Sequence, residues 1–344
     1  MNRTNRLLVN FNDACIYESD VNLLRNKTAW LNDACIHFQQ TRISHQIQQQ
    51  RQQEKCNNPC HVTIVDPSVV SFLVTQQQQQ DTLDDDDCKT FQNTWLGTDK
   101  SASSSCLLSN NDPNISLLFI PINDDYMTNY SQSFMSSKSD VIPTNQPRGN
   151  HWSFLLVVVL VSHTAHYGDT KQSQQSHHDK IQIFYFHIDS MSCLHNSNAA
   201  RITAITIQHI LTRDISSSIA NTTITLPTVI ECHVPQQTNG YDCGICTVAY
   251  TEKLSQDVDT WIHDHHHHHR LLLSTETTTH HQQPLLNPKV WQEWIEQTLK
   301  QHVDTCHGIE AMAKTVRQNM IHDIHQLCHH YKEEEAHGNI KYNE

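Results

Sequence analysis

The sequence predicts an α+β domain, on three observations. Largely apolar runs of strand length recur at residues 115–122, 154–161 and 181–188, and their β-branched and aromatic residues suit buried strands. Stretches with helical apolar spacing lie before and after them, at residues 30–38, 198–211 and 288–299. The residues able to carry chemistry are scattered along this whole span, so one folded unit must bring them together.

Taken in order, Ser19-Asp20-Val21 starts a helix or turn leading to Leu23 and Leu24. Residues 30–38 continue as a helix with Leu31, Cys35 and Phe38 on one face. Residues 62–65 form a short strand, and Asp66-Pro67 opens a helix carrying Val69, Val70, Phe72 and Leu73. The run 115–122 is a strand, 125–149 a polar loop, 154–161 a core strand, and 162–180 a hairpin connection into the strand at 181–188. A helix with Ile202, Ile205 and Ile210 on its apolar side follows. The alternating residues 222–232 form a strand, a helix runs from Cys243 to about Leu254, and another occupies 288–299 with Val290, Trp294, Ile295 and Leu299 facing the core. Three low-complexity blocks, about 39–61, 76–114 and 255–283, read as insertions. The domain so defined spans residues 1–303. In the remainder, 304–344, Ile309, Met312, Val316, Met320, Ile324, Leu327 and Tyr331 recur every three or four residues as an amphipathic helix. Its two uses are docking on the domain's own surface or pairing with a partner.

The formal net charge of −13 argues against nucleic acid as the main partner and suits a protein presenting a basic face. The twelve Cys of a long chain without a signal-peptide pattern read as buried thiols. With no run long enough to span a membrane, a protein of the cytoplasm and nucleus is expected. Cys56, Cys60, His61 and the tract 265–269 offer metal donors, but their setting in low-complexity sequence predicts no metal site, and no cofactor is expected.

The sharpest signal is Pro-Gln-Gln-Thr-Asn-Gly-Tyr-Asp-Cys-Gly at 235–244. Cys243 opens an apolar helical run, and the unpaired N–H groups and partial positive charge of a helix N-terminus favour thiolate over thiol. Gln237, six residues earlier, can aim its side-chain N–H at the oxygen that turns negative when a thiolate attacks a carbonyl. His151, at the mouth of a core strand, is placed as the general base. Asp189, at the end of the next strand, can fix the imidazole tautomer and stabilise imidazolium. The four residue types describe a cysteine protease working through a thioester. Competing uses are weaker: Cys243 and Cys246 have Cys-x-x-Cys spacing, but no βαβ unit begins there, and Cys246 reads as a core residue. Asp242 reads as a cap for the Cys helix.

His151-Trp152, the Asp189-Ser190 strand end and the Gln-x-x-x-Tyr-Asp-Cys-Gly stretch from Gln237 resemble the ubiquitin-like-protein-specific, or sentrin-specific, proteases. Trp30-Leu31-Asn32-Asp33 is similar to that family's Trp-Leu-Asn-Asp motif. The resemblance implies a papain-like fold with a central mixed sheet flanked by helices. It implies His151, Asp189 and Cys243 as a triad, Gln237 in the oxyanion hole, and Trp30 and Trp152 confining a modifier's Gly-Gly tail. Ile122-Asn123-Asp124 and His151-Trp152-Ser153 look like the deneddylase branch, where Asp33 and Asn123 would contact the tail of a Nedd-type modifier carried on conjugates such as cullins. A SUMO-specific protease is the alternative substrate choice, and an inactive modifier-binding module the alternative of another class.

Overall fold

The computed structural model describes residues 5–54, 60–79, 85–96, 114–124, 151–163, 179–191, 194–218, 226–273 and 284–336. Two strands, β1 (Leu7–Phe11) and β2 (Ala14–Tyr17), form an antiparallel hairpin ahead of the first helix, α1 (Glu18–Arg25). Its turn residues Asn12 and Asp13 have φ of 47° and 67°, the left-handed conformation that two-residue hairpin turns require and that Asn and Asp tolerate. Asn32 caps the next helix, α2 (Asp33–Glu54), by accepting from the Cys35 amide at 3.0 Å.

Five further strands, β3 (Cys60–Ile64), β4 (Asn114–Asn123), β5 (Trp152–His163), β6 (Asp179–Ile188) and β7 (Val229–Glu231), form one sheet in chain order. The outer pairs are parallel and the two inner pairs antiparallel, so the sheet is mixed. Its inner strands read as largely apolar runs because both faces are covered. Phe154, Leu156, Val158 and Leu160 of β5 join one cluster with Leu117 and Phe119, while Leu155, Val157 and Val159 join the other with Leu118 and Ile120.

The second cluster takes in α3 (Pro67–Gln79), α4 (Asp85–Leu96) and α5 (Leu194–Ser218). The first takes in α6 (Cys243–Leu273) and α7 (Pro288–Thr305), whose Trp291 and Trp294 pack around Trp261 at ring separations of 4.7 and 4.8 Å. A third cluster joins the hairpin, α1, α2 and the start of α6 to α8 (Ile309–Ala336), whose Ala313, Met320 and Ile324 are buried in it. The amphipathic C-terminal helix therefore docks on its own domain. Helices on both faces of a mixed sheet give the α+β architecture that the sequence predicts.

The low-complexity blocks depart from expectation. The segment read as a loop from residue 39 continues α2 to Glu54, with Ile43 and Ile47 buried in its inner face. Gln76 to Gln79 extend α3, residues 85–96 form α4, and α6 runs well past Leu254 to Leu273. Gln is a good helix former, so Gln-rich sequence following a packed helix prolongs it. The expected strand at 222–232 is described only from 226, and within the described residues only the three of β7 are strand. The loop 125–149 and most of the connection 162–180 lie outside the described residues, as does Cys56.

Candidate active site

Three elements of the fold end at the same place. His151 immediately precedes β5, Asp189 follows β6, and Cys243 is the first residue of α6, which packs across the sheet face between α7 and α2. The antiparallel register of β5 and β6 pairs Phe154 with Ile188, which brings the start of one strand beside the end of the next. His151 Nε2 lies 2.9 Å from Asp189 Oδ1. The same carboxylate oxygen accepts the Met191 amide at 2.8 Å, which fixes its direction. Both groups are buried, at 8% and 6% exposure.

The other ring nitrogen of His151, Nδ1, is buried, and Cys243 interacts with the same imidazole. Burial disfavours the imidazolium. Hydrogen bonding to Asp189 and to Cys243, with their negative charge, outweighs it and raises the His151 pKa to about 10. The site thus favours a protonated imidazole between a carboxylate and a sulfur, the electrostatic condition for a thiolate–imidazolium pair. Cys246, three residues on, is different: desolvation pushes its thiol up to about 12, as befits a core residue.

Gln237 lies in the loop before α6 and is tied to Ser190, the residue after Asp189. Its backbone N–H donates to Ser190 O at 2.8 Å, its Oε1 accepts from Ser190 Oγ at 2.7 Å, and its Nε2 donates to Asn239 O at 2.7 Å. A hydroxyl at one end and a carbonyl at the other determine which way the amide points. Asn239 also ties the loop to the helix: its Oδ1 accepts the Asp242 amide at 3.0 Å and its Nδ2 donates to Asp242 Oδ2 at 2.9 Å. Ser190 entered the sequence reading only as part of the Asp-Ser strand end; its hold on Gln237 was not foreseen, and its adjacency to Asp189 was the available signal.

The two tryptophans occupy different settings. Trp152 is 1% exposed, with its indole N–H donating to Leu31 O at 3.1 Å. It lies against Gly244, where an added Cβ would meet Leu31 Cβ at 3.1 Å and Trp152 Cδ1 at 3.4 Å. Trp30 is 41% exposed and donates its indole N–H to Gly240 O. Trp152 is therefore packed beneath the Cys helix, while Trp30 presents a surface to solvent beside the Gln237–Cys243 loop. Asp33 sits exposed at the first turn of α2, and Asn123 is buried at the end of β4, opposite Trp152 in the sheet register. Asp124, next in chain, accepts the His151 amide at 3.2 Å.

Behind His151 lies a polar chain that sequence reading did not foresee. Asn196 Nδ2 donates to Ser153 Oγ at 2.9 Å and reaches His151 O at 3.5 Å, while Ser153 Oγ also meets the fully buried His187 Nε2 at 2.9 Å. His187 Nδ1 pairs with Glu231 at 2.6 Å. These contacts hold the residue after Trp152, and through it the strand end that carries His151.

Comparison with known proteins agrees with the motifs. A curated relative, the probable sentrin-specific protease 8 of Dictyostelium discoideum, is 24% identical over 251 residues, covering 72% of this chain and 74% of that protein. Among solved structures, one described as a de-sumoylating protease is 16% identical, with a TM-score of 0.48 over 98% of this chain and 97% of that one. The Ulp1 C-terminal protease domain, solved with the yeast SUMO ortholog, is 20% identical, with a TM-score of 0.34 over 74% of this chain and 79% of that one. The family described as the Ulp1 protease family, C-terminal catalytic domain, matches residues 29–279, and this chain belongs to that family of cysteine proteases.

Proposed function

We propose that this chain cleaves after the C-terminal Gly-Gly of a ubiquitin-like modifier, both in precursors and in isopeptide conjugates, and that its preferred substrate is the Nedd-type modifier. The observation that carries the catalytic part is the joining of His151, Asp189 and Cys243 beside an amide of fixed orientation on Gln237. Cys243 Sγ attacks the carbonyl of the terminal Gly, and the electron pair moves to the oxygen, which becomes an oxyanion. The Gln237 amide uses one hydrogen on Asn239 O, so its second is the donor for that oxyanion. His151 gives its proton to the departing amine and takes one from the water that then hydrolyses the thioester. Asp189 holds the ring so that Nε2 faces the carboxylate and Nδ1 faces sulfur.

Substrate choice rests on Asn123 and Asp33. A short polar pair against the Ala of a Nedd-type tail leaves no compensating pocket for ubiquitin's Arg, whose donors would be buried poorly paired. Asn123 is 5% exposed at the strand end beside Trp152, which suits close contact with a narrow tail. A sentrin-specific protease among the relatives supports a ubiquitin-like substrate. Cullins are the conjugates proposed for it, in the cytoplasm and nucleus, where free thiols persist.

The test is a kinetic panel on Nedd-type, SUMO-type and ubiquitin precursors. Faster processing of the Nedd-type protein, with discrimination loosened in Asn123→Ala, is expected. Faster SUMO processing by the wild type assigns the enzyme to SUMO with its triad unchanged, and no processing of any substrate returns it to a modifier-binding role.

A further inference from the structure

The nucleophile's loop is held from an unexpected direction. Arg317, on α8, is 5% exposed in the middle of the C-terminal helix. Its Nη2 donates to Asp242 Oδ1 at 3.1 Å and to Ala29 O at 2.8 Å, and its Nη1 reaches Asn26 O at 3.4 Å. Asp242 precedes Cys243, and its carbonyl accepts the Cys246 amide at 2.9 Å, so it is the residue from which the Cys helix starts. Its other carboxylate oxygen receives Asn239, whose carbonyl receives Gln237. Ala29 precedes Trp30, whose indole is bonded to Gly240. One guanidinium therefore grips both the loop carrying Gln237 and Cys243 and the segment carrying Trp30. A second contact, Thr238 Oγ1 to Glu310 Oε1 at 3.2 Å, ties the same loop to the first turn of α8. The family match ends at residue 279, before α7 and α8 begin.

We infer that α8 is part of the catalytic apparatus, with Arg317 the positioning residue that sets Cys243, Gln237 and Trp30 relative to one another. The inference rests on the activity proposed above. A buried guanidinium is strongly disfavoured unless paired, and Arg317 bonds Asn26, Ala29 and Asp242, which belong to the two segments that border the site. Its planar fork reaches separate acceptors at fixed angles, which a lysine ammonium cannot reproduce. Small displacements of reacting groups cost large factors in rate, so the clamp acts on turnover more than on affinity. Its effect is on where Cys243 and Gln237 stand, since its hydrogen bonds go to Asp242, Ala29 and Asn26 and not to the catalytic side chains.

The experiment measures kcat and KM on the Nedd-type precursor for the full-length wild type, Arg317→Met and Arg317→Lys, with melting temperature measured in parallel. Methionine keeps the length and apolar packing and removes all five donors. The expected result is a fall in kcat of roughly 10- to 100-fold for Arg317→Met. KM should stay within about threefold, and Arg317→Lys should recover only part of the loss because it cannot span the three acceptors. A folded Arg317→Met with wild-type kcat overturns the inference and leaves Arg317 a packing residue. Should Arg317→Met fail to fold, Glu310→Ala decides at the exposed contact: a reduced kcat at unchanged melting temperature supports the clamp, and an unchanged kcat overturns it. If the wild type turns over none of the three precursors, the proposed activity itself fails, an outcome distinct from active wild type with equally active Arg317→Met.

Discussion

Gly244→Ala isolates how tightly the nucleophile's helix is seated. The first turn of α6 approaches the rest of the domain so closely that a methyl at Gly244 would meet Leu31 Cβ at 3.1 Å, Ile36 Cδ1 at 3.2 Å and Trp152 Cδ1 at 3.4 Å. Two effects favour the alanine: better helix propensity, about 1 kcal/mol, and a buried methyl, about 0.8 kcal/mol. Against them stands overpacking, typically ~1–3 kcal/mol. Ile36 Cδ1 is a flexible end that can rotate away. Leu31 cannot: its Cβ is fixed to a backbone whose carbonyl accepts the Trp152 indole and whose next residue caps α2. The terms nearly cancel in stability, so a net change of no more than about 1 kcal/mol is expected, or a few degrees of melting temperature. The strain relaxes by lifting the first turn of α6, and Cys243 with it. A kcat reduced at least about tenfold against a near-constant melting temperature is therefore predicted, measured by precursor turnover beside thermal unfolding. Wild-type kcat in the folded variant would refute the reasoning, since the close approach would then impose nothing on the nucleophile.

Two further outcomes follow from the site. Ser190→Ala removes the donor to Gln237 Oε1, leaving only Asn239 to orient the amide. A loss of several-fold to about 10-fold in kcat is expected, smaller than the roughly 10²-fold expected for Gln237→Ala, and equal losses in the two variants would contradict the distinction. The raised pKa of His151, about 10 against 6.5 unperturbed, means that its charged form is stabilised by folding. That contribution is complete below about pH 6.5 and is lost as pH rises through about 10. The stability difference between wild type and Asp189→Asn, from denaturant unfolding, should shrink from near pH 6 toward pH 10, and a difference that widens would contradict the pairing.

Much of this was legible from local pattern, and the exceptions share a physical cause. The strands β4, β5 and β6 announced themselves because burial on both faces leaves largely apolar runs. The C-terminal helix showed its 3.6-residue period because its opposite face is solvated. The second half of α2 hid its period: Gln39 and Gln40 occupy buried positions beside Ile43 and Ile47, so the inner stripe is interrupted by polar side chains. The β1–β2 hairpin was missed although Asn12-Asp13, between the largely apolar stretches 7–11 and 14–17, was its turn signal. At the site, His151, Asp189, Gln237 and Cys243 were each readable from local context, and the structure brings them together. Arg317 was not, because nothing in an amphipathic helix reveals that its arginine pairs with Asp242 across 75 residues of sequence. The burial of Trp152 was likewise invisible, since it depends on Leu31 and Gly244 from two other segments.

The central claim is that Cys243 forms a thioester with the terminal glycine of a ubiquitin-like modifier, and adduct mapping tests it most directly. Wild-type protein is incubated with a Nedd-type modifier bearing a C-terminal electrophile, and the cross-linked peptide is identified by mass spectrometry. The predicted result is a single adduct on Cys243, absent in Cys243→Ser and unaffected in Cys246→Ser. Modification of another cysteine, or no adduct with Nedd-type, SUMO-type or ubiquitin probes, would contradict the account.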